Sequence, residues 1–285
     1  MGTSMKMIKD RIKSVEGTMQ ITKAMELVSS SKLRKAKERA EKARPFFNIL
    51  YETISELSSQ MQEQDSIYTF SDSTKKPLYV VVAGDRGLAG GYNSNIFKLV
   101  DTEIKEKNAA VIAIGKKSAE HYERVPCELL KSYGNVAENL EMLIVSEISD
   151  IIIERFQERK IGSVYLIFTQ FVTALTQTAT KMQVLPLHLH LSKERDQPEG
   201  PPVLYEPSAE AVFNSIIPQY VAGMIFGGVV ESYASEQGAR RTSMESATNN
   251  ARDMIDHLSL SYNRARQSAI TQELTEIVAG ANAAS

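Results

Sequence analysis

Two seams of helix-facing residues, one at each end of the chain, constrain the fold more than anything between them. Residues 5–61 contain no glycine after Gly17 and one proline, Pro45. Ile8, Ile12, Val15 and Met19, then Leu33, Ala36, Ala40, Ala43, Phe47, Leu50, Ile54, Leu57 and Met61, recur at three- and four-residue steps. A 3.5-residue period marks a helix wound on another helix. Between Met19 and Leu33 the same positions hold Thr22, Glu26 and Ser29, so the seam turns polar there. At 1.5 Å per residue this helix is about 80 Å long, more than a compact domain buries, and much of it is expected to project. Pro45 is expected to kink or interrupt it. The second seam runs through Val230, Ala234, Gln237, Arg241, Met244, Thr248, Ala251, Ile255, Leu258, Tyr262, Ala265 and Ala269. Pro218 is expected to separate a short helix from this long one, since proline suits a first helical turn. Neither helix is stable alone in water. Pairing them antiparallel explains both seams at once.

The segment between them has a different grammar. "PLYVVVAG", "AAVIAIG" and "SVYLIFTQFV" are short β-branched apolar runs, as in strands buried on both faces. Helical stretches are expected near 94–107, 118–125 and 137–159. Alternation of strand and helix implies a parallel sheet with crossover helices. "TKMQVLPL" reads as a further strand, antiparallel at an edge. The predicted organisation is an N-terminal coiled-coil helix (1–61), a globular α/β domain (77–191) and a C-terminal coiled-coil helix (209–285). Polar connections fall at 62–76 and 192–208. The fold class is α/β: a Rossmann-like parallel-sheet domain inserted between long terminal helices that form an antiparallel coiled coil.

One loop invites a catalytic reading. "GDRGLAGGYN", residues 84–93, follows a strand and precedes a helix, where backbone N–H groups often cradle phosphate. Arg86 stands where a dinucleotide fingerprint needs its second glycine, and no Gly-Lys-Ser/Thr follows as a P-loop requires. A tight turn presenting Arg86 to a partner fits better. His188 and His190 share one face of a strand but find no third metal ligand nearby, so no metal site is expected. Cys127 is the single cysteine, which rules out an intramolecular disulfide and a cysteine metal cluster. No nucleophile triad or paired-carboxylate signature stands out, and no cofactor is expected.

Charge is uneven although the net value is only −2. Lys32, Arg34, Lys35, Lys37, Arg39, Lys42 and Arg44 make a dense basic stretch that faces solvent, nucleic acid or an acidic protein. No aromatic residue is interleaved with it, which disfavours single-strand binding by stacking. No stretch reads as 18 uncharged apolar residues, so no membrane insertion is expected. The first residues lack the apolar core of a secretion signal, and the chain reads as cytoplasmic.

"IKDRIKSVEGTMQITKAMELVSSSKLRKA" at 8–36 and "ASEQGARRTSMESATNNARDMIDHLSLSYNRARQSAITQELTEIVAGA" at 234–281 closely resemble the gamma subunit of F-type ATP synthases. "GDRGLAGGYN" is similar to that family's internal signature, with Ala89 where a cysteine is usual. The similarity runs the full length in the same order.

The resemblance implies a non-catalytic central-stalk rotor. Its terminal helices would lie inside a ring of three alpha and three beta subunits, with the α/β domain below, against epsilon and the membrane ring of c subunits. ATP chemistry would occur on beta, without nucleotide on this chain, at the cytoplasmic face of a bacterial plasma membrane. Thiol control is not implied, because the inserted cysteine pair of the chloroplast form is missing.

Carried over by position, Met25, Arg240, Gln267, Thr271 and Glu273 would contact beta, and Arg86 its lower rim. The basic stretch would face acidic segments of beta. Tyr205 and Glu206 would lie near the polar loops of the c ring. Two other classes stay open on the residues alone: a nucleotide-binding α/β enzyme, and a coiled-coil scaffold or nucleic-acid clamp with a basic helix.

Overall fold

Side-chain alternation along the strands builds the centre of the molecule. Leu78, Val80 and Val82 face one apolar cluster; Tyr79 and Val81, between them, face another. A strand buried on both faces must be covered on both, so helices lie on each side of the sheet. The computed structural model describes residues 2–59, 66–70, 72, 74–173, 176–187 and 205–283. In chain order the elements are α1 (Gly2–Ser59), β1 (Lys76–Val82), α2 (Tyr92–Glu106), β2 (Ala110–Ile114), α3 (Lys116–Tyr122), β3 (Glu128–Tyr133), α4 (Met142–Gln157), β4 (Ile161–Phe171), β5 (Gln177–Leu185) and α5 (Ala209–Ala283). His188, His190, Met61, residues 62–65 and the connection at 192–204 lie outside the described residues.

The five strands are ordered β3-β2-β1-β4-β5. Pairings β1–β2, β1–β4 and β2–β3 are parallel, and β5 closes an edge antiparallel to β4, as expected from "TKMQVLPL". β3, "ELLKSY", was not predicted. It has only two adjacent apolar residues and sits at the other edge, where a strand needs little apolar cover. Its charges are tied down instead: Glu128 pairs with Lys76 and Arg155, and Lys131 with Glu147. α2 lays Tyr92, Ile96, Val100 and Ile104 on one face of the sheet. α4 covers the other with Val145, Ile148 and Ile152, alongside Phe213, Ile217, Val221, Ile225 and Val229 of α5.

Neither proline interrupts its helix, against the expectation of a break at Pro45 or of two helices around Pro218: α1 continues through Pro45 and α5 through Pro218. Around Pro218 the helix is held by packing: Phe213, Ile217 and Val221 are fully buried. The Ser149 hydroxyl donates to the Pro218 carbonyl at 2.8 Å. The expectation about apolar runs also fails, since residues 211–230 carry no charged side chain. By length and composition α5 qualifies as a candidate span, yet 56% of its most apolar window is buried within the protein. Those residues form the core of the α/β region.

The chain divides into two compact units, residues 31–239 and the terminal segments 1–30 with 240–285. Within the first, α1 and α5 run antiparallel: Leu33 and Ala36 pack with Ala234, and the Arg39 guanidinium lies 5.5 Å from the Phe226 ring. Within the second, Val15, Thr22 and Ser29 stand seven residues apart and are buried, as are Met244, Thr248 and Ala251. The polar seam position Thr22 is paired, its Oγ1 lying 2.8 Å from that of Thr248. Each hydroxyl also meets a carbonyl of its own helix, Met19 for Thr22 and Met244 for Thr248.

Candidate functional site

Strand order reverses on either side of β1, so the crevice at the carboxyl ends of β1 and β4 is where a doubly wound fold would take a ligand. "GDRGLAGGYN" lies there, and α5 fills the place. The Tyr92 and Ser232 hydroxyls are 2.7 Å apart. Ser232 Oγ accepts the Thr169 N–H at 3.1 Å, and Ser235 Oγ donates to the Thr169 carbonyl at 2.9 Å. A Cβ on Gly84 would stand 2.9 Å from Glu236 Oε1, so this glycine makes room for a carboxylate of the chain itself. A buried acid beside the loop opposes phosphate.

The remainder of the loop is spent on structure. Asn93 Oδ1 accepts the Gly84 N–H at 2.9 Å. Asp85 Oδ1 accepts the N–H groups of Lys116 at 3.0 Å and Asn135 at 2.7 Å, tying the ends of β1, β2 and β3 together. Gly115 must be glycine: its φ is +94°, and a Cβ would stand 2.0 Å from the Ala83 carbonyl oxygen. Arg86, Gly87 and Leu88 are left as an exposed tip, with Leu88 at φ +63°. Among the described residues no group of three or more His, Cys, Asp or Glu could hold a metal ion.

The residues proposed for partner contact fall into three environments. Gln267, Thr271 and Glu273 are exposed on α5, where the Thr271 hydroxyl donates to the Gln267 carbonyl. Arg86 is exposed, and Met25 is half-buried on α1. Arg240, in contrast, is 7% exposed and already engaged by other groups. Tyr205 is half-buried against the main cluster; burial, then the Glu56 carboxylate, push its phenol pKa up. Glu206 beside it is exposed.

Much of the basic stretch serves the chain itself. Lys32 donates to Glu138 at 2.6 Å, and Arg39 to the carbonyls of Glu138 and Leu140. The Lys37 ammonium sits 4.4 Å from the Phe171 ring. Arg34, Lys35 and Lys42 remain exposed. Sequence reading saw the charge run but had no sign of its internal partners, which for Lys32 and Arg39 come from loop residues about 100 positions away and for Lys37 from the end of β4.

An exposed apolar surface lies at the far end of α5. Antiparallel pairing with Thr22 opposite Thr248 brings the first residue of α1 level with about residue 268. α5 continues to Ala283. Ile270, Leu274, Ile277 and Val278 lie at helical spacing and are 49%, 58%, 67% and 58% exposed. The signal was present in the sequence as an i, i+4, i+7, i+8 stripe.

Comparison with known proteins is consistent with this geometry. A family model described as ATP synthase matches residues 4–284. The ATP synthase gamma chain of Ruminococcus albus is 46% identical over 279 residues, 96% of each chain. The "ATP synthase gamma chain, sodium ion specific" of Acetobacterium woodii is 42% identical over 294 residues, 97% of each. Among solved structures, a chain from the central stalk and c-ring of Tetrahymena thermophila mitochondrial ATP synthase aligns with 80% of this chain and 99% of its own. Its TM-score is 0.59, at 25% identity. A chain of Euglena gracilis mitochondrial ATP synthase, rotational state 3, aligns with 99% of this chain and 95% of its own at a TM-score of 0.71. At 19% identity it shares the fold.

Proposed function

The chain belongs to the ATP synthase gamma-chain family, and from that premise we propose that it is the non-catalytic shaft of the central stalk. It turns inside a ring of three alpha and three beta subunits. It couples ion-driven rotation of the membrane c ring to ATP synthesis or hydrolysis on beta. It sits peripherally, on the cytoplasmic side of a bacterial membrane, with epsilon against its α/β domain. The mechanism needs only asymmetry. One shaft with unlike faces meets three equivalent beta subunits, and each contact biases its subunit toward a different nucleotide affinity.

The observation that carries this reading is the apolar stripe of Ile270, Leu274, Ile277 and Val278, exposed among the described residues. An exposed apolar stripe calls for a surrounding partner. Gln267, Thr271 and Glu273 border that stripe with polar groups suited to contacts remade at each step. Met25, Arg86 and the exposed cations Arg34, Lys35 and Lys42 are proposed to meet the ring, and Tyr205 with Glu206 the c-ring side. Arg240 is assigned to the ring only through its helix, since its side chain is buried.

Thiol labelling tests the proposal. Leu274→Cys is expected to react readily with maleimide in the isolated chain and to be protected about tenfold or more after assembly with alpha and beta. Background is low, because burial, then the Asp101 carboxylate, raise the Cys127 thiol pKa and keep it protonated. Equal labelling before and after assembly would remove the end of α5 from the ring.

A further inference from the structure

β4 is longer than the partner on its inner edge. Its pairing with β1 ends at Val81↔Ile167, whereas its pairing with β5 continues to Phe171↔Gln177. Backbone groups of alternate residues point to the same edge, so beyond Ile167 the groups of Thr169 and Phe171 face where β1 no longer is. One face of α5 takes them. Ser232 and Ser235 hold the N–H and carbonyl of Thr169, and Glu231 Oε1 accepts the Phe171 N–H at 3.1 Å. Gly228, four residues before Ser232, brings the helix close: a Cβ there would stand 2.5 Å from Leu166 Cδ2. Tyr92, from the start of α2, reaches the same Ser232 hydroxyl.

This patch differs in kind from the rest of the contact between α5 and the sheet. From Phe213 to Val229 the helix meets the sheet through apolar side chains, and the hydrogen bonds it takes there, from Ser66 to Asn214 and from Ser149 to Pro218, come from outside the sheet. Such packing is non-directional and resists separation better than it resists turning. Hydrogen bonds have preferred angles. These act at the helix surface, about 5 Å from its axis, where they oppose twist. Resting on the shaft reading, we infer that the 228–235 face of α5 is a torsional key. It fixes the angle between α5 and the α/β domain, with Ser232 as its central positioning residue. Torque entering along α5 then passes into the sheet through β4, and the angle of the domain reports the angle of the shaft.

The test uses the complex assembled with alpha and beta subunits, the ring immobilised and a bead attached through Lys98→Cys on exposed α2. With the ring paused, the angular variance of the bead measures torsional compliance. Ser232→Ala with Ser235→Ala is expected to widen the variance about twofold, because directional bonds are lost while apolar packing stays. Ile148→Val, a core change away from the key, should leave it unchanged. Where the double variant fails to fold, Tyr92→Phe supplies a milder loss of the same hydroxyl contact and should widen the variance to a lesser degree. Unchanged variance in the folded key variants, with ATP-driven rotation intact, overturns the key and leaves the shaft reading standing. Absence of ATP-driven rotation in the unsubstituted chain overturns the shaft reading, and the key with it.

Discussion

Thr22 and Thr248 show what a single seam position does. Both hydroxyls are buried, each within hydrogen-bond reach of the other and of a carbonyl of its own helix; with one proton apiece, one donates to the other and the other to its carbonyl. Thr248→Val should cost about 1 kcal/mol, and the double change Thr22→Val with Thr248→Val less than the sum of the singles, because both partners leave together. Urea denaturation of the four chains followed by helicity gives the coupling directly. Arg240 and Gln267 make a second contrast. Arg240→Ala should destabilise the isolated chain by about 2 kcal/mol or more, since it empties a buried, engaged position. Gln267→Ala, on an exposed face, should change it by less than about 0.5 kcal/mol. Melting temperatures of the two variants decide whether the buried arginine is a fold residue. Sequence placed both residues on the right helix. Periodicity identifies a helix face, but whether a residue on it is covered depends on the partner helix, which one sequence window does not contain.

At the scale of elements, the strands buried on both faces were legible because their composition is extreme, and β5 because it alternates. β3 was not, since an edge strand with paired charges looks like a loop. Helix ends drifted by a few residues, most at α4, which begins at Met142 rather than near 137. The two prolines misled because propensity describes an isolated helix, and here long flanking segments hold the turn in place. Pro45 is exposed, so Pro45→Ala should raise stability by about 1–3 kcal/mol, restoring a backbone bond without loss of packing; thermal melting checks this. The outer face of β1, β4 and β5 carries a pH-dependent link. The Lys181 ammonium, then the Tyr79 hydroxyl, hold the Glu103 carboxyl below its ordinary value of 4.5. A carboxyl with a lowered folded pKa stabilises above its unfolded value, and the contribution is lost as pH falls through the folded one. Glu103→Gln should therefore flatten part of the loss of stability as pH falls from about 5 through the acid range, read from urea midpoints taken from neutral pH to about pH 3.

For the whole molecule, the loop that most resembles a phosphate site is the one whose crevice the chain's own helix occupies. Glycine spacing alone was ambiguous, and the deciding residues, Ser232, Ser235 and Glu236, are some 140 positions further on. What the chain offers outward is different: an exposed apolar stripe with a polar border at the end of α5, and an exposed tip at Arg86–Leu88. Both suit a shaft that works by touching other subunits. The most direct measurement is rotation itself. With alpha and beta assembled and immobilised, a probe on the α/β domain should turn in one direction on addition of ATP, pausing with the threefold symmetry of the ring. A probe that only fluctuates, while alpha and beta hydrolyse ATP equally well with and without this chain, would contradict a rotor role.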